Sequence, residues 1–282
     1  MPLPFASMPL SQDDVTYEYG ADSTVRPDVR PGTVERISIG SSERFPGTTR
    51  TVWVHRTAGH RADEPSAVMF FNDGWWYLDP DSDVRGGVVL DNLAARGDVP
   101  QMIGVFVDPG VIEVDGLPTK HRNAEYDAFD DTYAGFLLQE VLPIVQTRFA
   151  VSDDPMMRGI CGGSSGGNAA VTAAWCRPDG IGRVIAFNPS FAQMPDGNPF
   201  PTLLASEPRR QTRIVLHAAH RDLHWNEPEG NWFAESLETA ASLARAGYDF
   251  RLVLGDGGHS PNHGGVLLPD ALRWLWRPHG RW

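Results

Sequence analysis

Cysteine is nearly absent from this 282-residue chain. Cys161 and Cys176 are the only two, too few for a disulfide framework, so a hydrophobic core must do the stabilising. Long apolar runs are missing too: nowhere do eighteen consecutive apolar residues occur, which excludes a membrane-spanning helix. Positive charge is in deficit. Lys and Arg number 24 against 36 Asp and Glu, for a formal charge of −12. With no Lys/Arg run either, a nucleic-acid partner is excluded, because phosphate binding requires a basic face. The first residues, Met1 to Asp14, lack a cationic start and a long apolar stretch, so no secretory signal is expected and the expected location is the cytoplasm. No internal repeat, low-complexity tract or dividing linker appears.

What is present suits a globular enzyme: 41% hydrophobic and 21% charged residues, enough apolar surface for one large core. Residues 1–32 read as an irregular N-terminal segment, punctuated by Pro27 and Pro31, and residues 33–282 as the folded domain. Val34–Ile39 and Thr51–His55 alternate as half-buried strands, with Pro46-Gly47 turning between them. Ala67–Phe71, Met102–Val107, Val184–Phe187 and Ile214–Leu216 are continuous apolar runs, the pattern of strands covered on both faces. Tyr248–Leu254 adds another strand. Helical patterns occupy about 84–96, 131–148, 166–175, 232–246 and 264–276. The alternation predicts an α/β fold: a single three-layer domain with a mostly parallel central sheet.

The chemistry is concentrated in Gly162-Gly163-Ser164-Ser165-Gly166-Gly167, which follows an apolar run ending at Ile160-Cys161 and precedes a small-residue helical pattern. Strand, glycine turn and helix form the context in which G-x-S-x-G is a nucleophile elbow. A plain glycine-serine tether would lack such apolar flanks. Two registers match, on Ser164 and on Ser165. The first leaves Gly166 and Gly167 where helix and strand pack tightest, so Ser164 is the expected nucleophile.

A serine needs a base, and the base an orienting acid, in the chain order Ser, Asp or Glu, His. His259 lies in Gly255-Asp256-Gly257-Gly258-His259, after the last strand, with His263 as the alternative; His279 lies beyond both. Asp222 follows the strand ending at Leu216, with Glu227, Glu229 and Asp256 as alternatives. The oxyanion donors are expected to be the amides of Ser165 and Trp75, the latter from the Asn72-Asp73-Gly74-Trp75-Trp76 loop.

These segments resemble the putative-esterase branch of the α/β-hydrolases, which includes enterochelin esterases, feruloyl esterases and S-formylglutathione hydrolases. Ile160–Gly167, Asn72–Gly74, Asp222, Gly258–Ser260 and Leu268–Trp276 carry the likeness, which spans roughly residues 34–277. It implies the same triad, Ser164, Asp222 and His259. One departure is the Asn72-Asp73-Gly74 loop, where the family usually has His-Gly.

Nine tryptophans suggest an aromatic-lined cleft. Trp76, Trp225 and Trp232 are the expected substrate contacts, with Trp53, Trp175, Trp274 and Trp276 read as packing. Residues 108–131 form a long segment, either a lid or disordered. Within it Arg122 is a candidate substrate contact, or one half of a surface pair with Glu125. His217, His220 and His224 have metal-like spacing but no cysteine or second acidic cluster joins them, so no metal and no cofactor is expected. The expected activity is carboxylic ester cleavage, on aryl, phenolic or sugar-linked esters, through an acyl-enzyme. Lactone opening, acyl transfer, siderophore ester cleavage and non-catalytic binding are the alternatives, and a homodimer is the only assembly suggested.

Overall fold

A computed structural model describes residues 15–278. Met1 to Asp14 and His279 lie outside the described residues. Eight strands form one sheet in the order β1-β2-β4-β3-β7-β8-β9-β10. They are β1 (Thr33–Ile39), β2 (Arg50–Arg56), β3 (Ala67–Asn72), β4 (Met102–Val107), β7 (Arg158–Gly163), β8 (Arg183–Phe187), β9 (Arg213–Ala219) and β10 (Asp249–Gly255). Both pairings of β2 are antiparallel. From β4 onward every pairing is parallel.

Alternation along the strands distributes the core to both faces. From β3, Val68 and Phe70 pack with α4 (Thr132–Phe136), α5 (Leu142–Gln146), α6 (Ser165–Cys176), α7 (Phe200–Ser206) and α8 (Trp232–Arg245). Its Ala67, Met69 and Phe71 face the other way, onto α1 (Gly74–Leu78), α2 (Gly86–Arg96) and α9 (Asn262–Leu275). Three layers result. The predicted strands recur within a residue or two of their expected bounds, except that β9 runs three residues past Leu216. The single helix expected over 131–148 is instead α4 and α5 joined by a wide turn at Leu137–Val141; Pro143 has no amide to continue the ladder there. Among the described residues no helix is long and apolar enough to cross a membrane.

Residues 15–32 contain one short helical turn, Ala21–Ser23, and are tied to the body. Ser23 Oγ donates to the Gly265 carbonyl at 2.6 Å, and Asp22 pairs with both Arg96 and Arg273.

The 108–131 segment is built rather than loose. It holds a hairpin of β5 (Val111–Val114) and β6 (Leu117–Lys120), then α3 (Arg122–Tyr126). Glu125 does not pair with Arg122. It receives both ends of the Arg50 guanidinium, at 2.7 and 3.0 Å, with both side chains fully buried. Three residues apart on α3, the two could have met, but Arg122 is taken by Asp73 and Glu125 by Arg50, whose charge on β2 had to be met inside the core.

Candidate active site

Ser164 sits between β7 and α6 with φ 57° and ψ −131°, a region that a residue bearing a side chain occupies only when its surroundings hold it there. The hold is visible. Ser164 N–H donates to the Phe187 carbonyl at 2.9 Å, and its own carbonyl accepts from Gly167, Asn168 and Ser190 amides at 2.9, 3.0 and 3.2 Å. The glycines are required by proximity: a Cβ on Gly162 would fall on the carbonyl of Gly166, where helix and strand touch. The two serines have different surroundings. Ser165 is buried and its hydroxyl donates to Asp127 at 3.0 Å, whereas Ser164 lines an open cleft with Trp76, Tyr77, Gly163, Phe187, Asn188, His259, Ser260 and Pro261.

His259 reaches that cleft from the loop between β10 and α9. Its Nδ1 lies 2.6 Å from Asp222 Oδ1, and the same oxygen accepts the Leu223 amide at 2.8 Å. Asp222 is almost wholly buried, while a quarter of the His259 side chain is exposed. An acceptor so enclosed holds Nδ1 as the protonated nitrogen and leaves Nε2 as the basic one. Asp256 stands beside His220 instead, at 3.5 Å, and Glu227 beside His224, at 3.1 Å. His263 is buried against His217, with ring centroids 4.5 Å apart, and burial pushes its pKa down.

The remaining expected contacts are placed unequally. Trp76 lines the cleft, half exposed, with its indole N–H donating to Asp83 at 3.0 Å. Trp225 is exposed beneath the Arg221 guanidinium, 4.7 Å from its ring centroid. Trp232 is buried and meets the His259 ring edge-to-face at 4.8 Å, so it packs behind the imidazole. The Trp75 amide, expected as an oxyanion donor, donates to Asp108 Oδ1 at 3.2 Å. Arg122 grips Asp73 through two bonds, 2.6 and 2.8 Å long. The three histidines considered for metal diverge, and among the described residues no three His, Cys, Asp or Glu side chains come together as ligands.

Sequence reasoning missed Tyr77, Phe187, Asn188 and Pro261 as cleft walls, and Asp73 and Asp127 as polar supports. Phe187 and Asn188 end β8 beside the elbow, at the carboxyl edge where open α/β sheets bind ligands, a signal the strand pattern already held. Asp127 carried no such mark. It sits in a charged stretch, and only the fold turns it under α6 to accept Ser165, Ser190 and Asn123 side chains.

The cleft volume is about 70 Å³, well below the roughly 300 Å³ of a pocket that engulfs a drug-sized ligand. A larger substrate must therefore rest much of its surface on the rim.

The strand order, with its antiparallel start and an elbow after β7, is that of an α/β-hydrolase. Within that class the profile of the Putative esterase family matches residues 42–267, and the chain belongs to this family. It is 28% identical over 249 residues to the iron(III) enterobactin esterase of Escherichia coli strain K12, covering 85% of this chain and 56% of the relative. Among solved structures, an enterobactin esterase from Shigella flexneri superposes with a TM-score of 0.70 at 23% identity, over 95% of this chain and 63% of that one. A ferulic acid esterase from Anaeromyces mucronatus superposes with a TM-score of 0.69 at 17% identity, over 90% and 94%. The chain thus spans a little over half the length of the curated relative it matches.

Proposed function

We propose that the protein is a serine esterase that cleaves carboxylic esters through an acyl-enzyme on Ser164. One observation carries the reading: a strained serine at a strand-to-helix elbow shares its cleft with a histidine whose Nδ1 is bonded to a buried aspartate. In this reading His259 Nε2 takes the Ser164 proton as Oγ attacks the ester carbonyl. Asp222 stabilises the imidazolium, and the proton then passes to the leaving alkoxide. Water, activated by the same histidine, releases the acid. No cofactor takes part.

The developing oxyanion calls for backbone donors. The Ser165 amide is the first of α6, so it has no acceptor within the helix and lies at the positive end of the helix dipole. The Trp75 amide is the second donor of this reading. Its 3.2 Å bond to Asp108 is long, which favours exchange for a full oxyanion. Losing one such donor costs about 10²–10³ in rate.

The rim favours an aromatic substrate. Trp76 lines the cleft and is about half exposed, so a ring could stack on it. Ligands named with the relatives, 2,3-dihydroxy-N-benzoyl-glycine and ferulic acid, carry such a ring. A cytoplasmic site of action and a homodimer belong to the same reading; sedimentation velocity tests the second.

The test is a fluorophosphonate probe with intact-protein mass spectrometry. A single adduct is expected on the wild type and on Ser165→Ala, and none on Ser164→Ala. An adduct that survives Ser164→Ala, or is absent from folded wild type, overturns the assignment.

A further inference from the structure

Arg122 was a candidate for touching substrate, yet its guanidinium is committed elsewhere. Nε donates to Asp73 Oδ1 at 2.6 Å, and one terminal nitrogen donates to Asp73 Oδ2 at 2.8 Å and to the Gly163 carbonyl at 3.3 Å. Asp73 is buried, with only 7% of its side chain exposed, and holds a left-handed backbone, φ 59° and ψ 28°. Only short polar residues and glycine adopt that conformation without large cost. Its other groups are also fixed: its amide donates to the Tyr126 hydroxyl at 3.2 Å, and its carbonyl accepts the Trp76 amide at 3.0 Å.

Three separate pieces of chain meet at this pair. Asp73 leads directly into Gly74-Trp75, the loop that supplies one oxyanion donor in the reading above. Gly163 directly precedes the nucleophile. Arg122 belongs to α3, whose Glu125 is anchored to β2 through Arg50. A planar fork that binds a carboxylate at two points fixes direction as well as distance, which a single lysine contact would not.

We infer that Arg122 and Asp73 form a positioning clasp, holding the oxyanion loop against the nucleophile elbow, and that Arg122 acts on catalysis through Asp73 rather than by binding the substrate. The inference rests on the serine-esterase reading. Displacing reacting groups by about 1 Å costs about 10²-fold in rate, so a loosened clasp lowers turnover and leaves ground-state binding alone. Because the pair works as one unit, breaking either half, or both, has a similar effect.

The experiment compares Arg122→Gln, Arg122→Lys, Asp73→Asn and the double variant Asp73→Asn/Arg122→Gln with wild type. The substrates are two p-nitrophenyl esters, the neutral acetate and the anionic hemiglutarate. Asp73→Asn keeps a residue suited to the left-handed backbone, so a folded variant is secured, and circular dichroism and thermal unfolding verify each protein. The expected result is a 10- to 100-fold fall in kcat on both esters, with KM within about twofold of wild type. The double variant is no slower than the slower single one, and Arg122→Lys recovers less than a tenth of the lost rate. A rise in KM confined to the anionic ester with Arg122 variants, Asp73→Asn being unaffected, overturns the clasp in favour of substrate contact. A lowered melting temperature with unchanged kcat overturns it in favour of a brace for folding only. A folded wild type that takes no fluorophosphonate and cleaves neither ester removes the underlying esterase reading instead.

Discussion

Replacing Glu125 with Gln tests whether the segment between β4 and α4 is locked to the sheet. Glu125 and Arg50 are fully buried, and the guanidinium also lies 4.1 Å from the Phe136 ring centroid and donates to Thr48 at 2.9 Å. Removing one partner of a buried pair costs about 3–5 kcal/mol, because the charge left behind cannot return to water. Arg50 Nε finds no acceptor among the described residues, so the pair is incompletely satisfied and the lower end, about 3 kcal/mol, applies. At roughly 2–4 °C per kcal/mol for a domain of this size, the melting temperature should fall by about 6–12 °C. Differential scanning calorimetry with urea unfolding measures it. The double variant Arg50→Met/Glu125→Leu should recover most of the loss, since an apolar pair of similar volume carries no desolvation cost. A Glu125→Gln protein within 1 kcal/mol of wild type, or a double variant less stable than the single one, refutes the argument.

Two further outcomes follow from the same structure. Gly162→Ala drives a methyl into the Gly166 backbone; it should destabilise by about 1–3 kcal/mol and, where folded, lower p-nitrophenyl acetate turnover by about 10²-fold. Gly40→Ala, with nothing within 4 Å of its Cβ, should match wild type in both assays, and equal behaviour of the two variants would sink the steric account. The second outcome concerns acid. Burial, with His263 alongside, lowers the pKa of His217 well below the ordinary imidazole value, and burial lowers that of His263, opposed by its contact with the Gly258 carbonyl. His263 also faces the Tyr17 hydroxyl and is near Asp222, His259 and Asp256, while His217 faces Phe187 as well. The unfolded chain protonates both near pH ~6.5 and the folded one resists, so stability is full above that pH and is lost as pH falls below it. Urea unfolding should show lower stability at pH 5.5 than at pH 7.5, with about 1 kcal/mol of the difference from His217, and His217→Leu should remove that share; an unchanged slope in that variant would contradict the assignment.

Much of this was legible in the residues. Apolar runs such as Met102–Val107 and Ala67–Phe71 marked buried strands because a strand covered on both faces has no polar side to show. The elbow was legible because its geometry tolerates only glycine around the serine, a constraint written in consecutive residues. Chain order singled out Asp222 and His259, which the structure brings within 2.6 Å of each other, since both sit just past strand ends that a parallel sheet collects at one edge.

Other features depend on which strands and helices come together. The hairpin of β5 and β6 and the short α3 have too little periodicity to stand out. Whether Trp232 would face substrate or pack behind His259 could not be read from its place after β9. The sequence offered Arg122 and Glu125 as one alternative pair because two charges three apart suggest a local one, while each in fact answers a charge on a distant strand or loop. Local preference and apolar pattern act over a few residues and so determined the elements, their layering and the serine elbow. Charge pairing acts across space, and the assignment of Asp73 to Arg122 and Arg50 to Glu125 was decided only when β2, β3 and α3 were packed together.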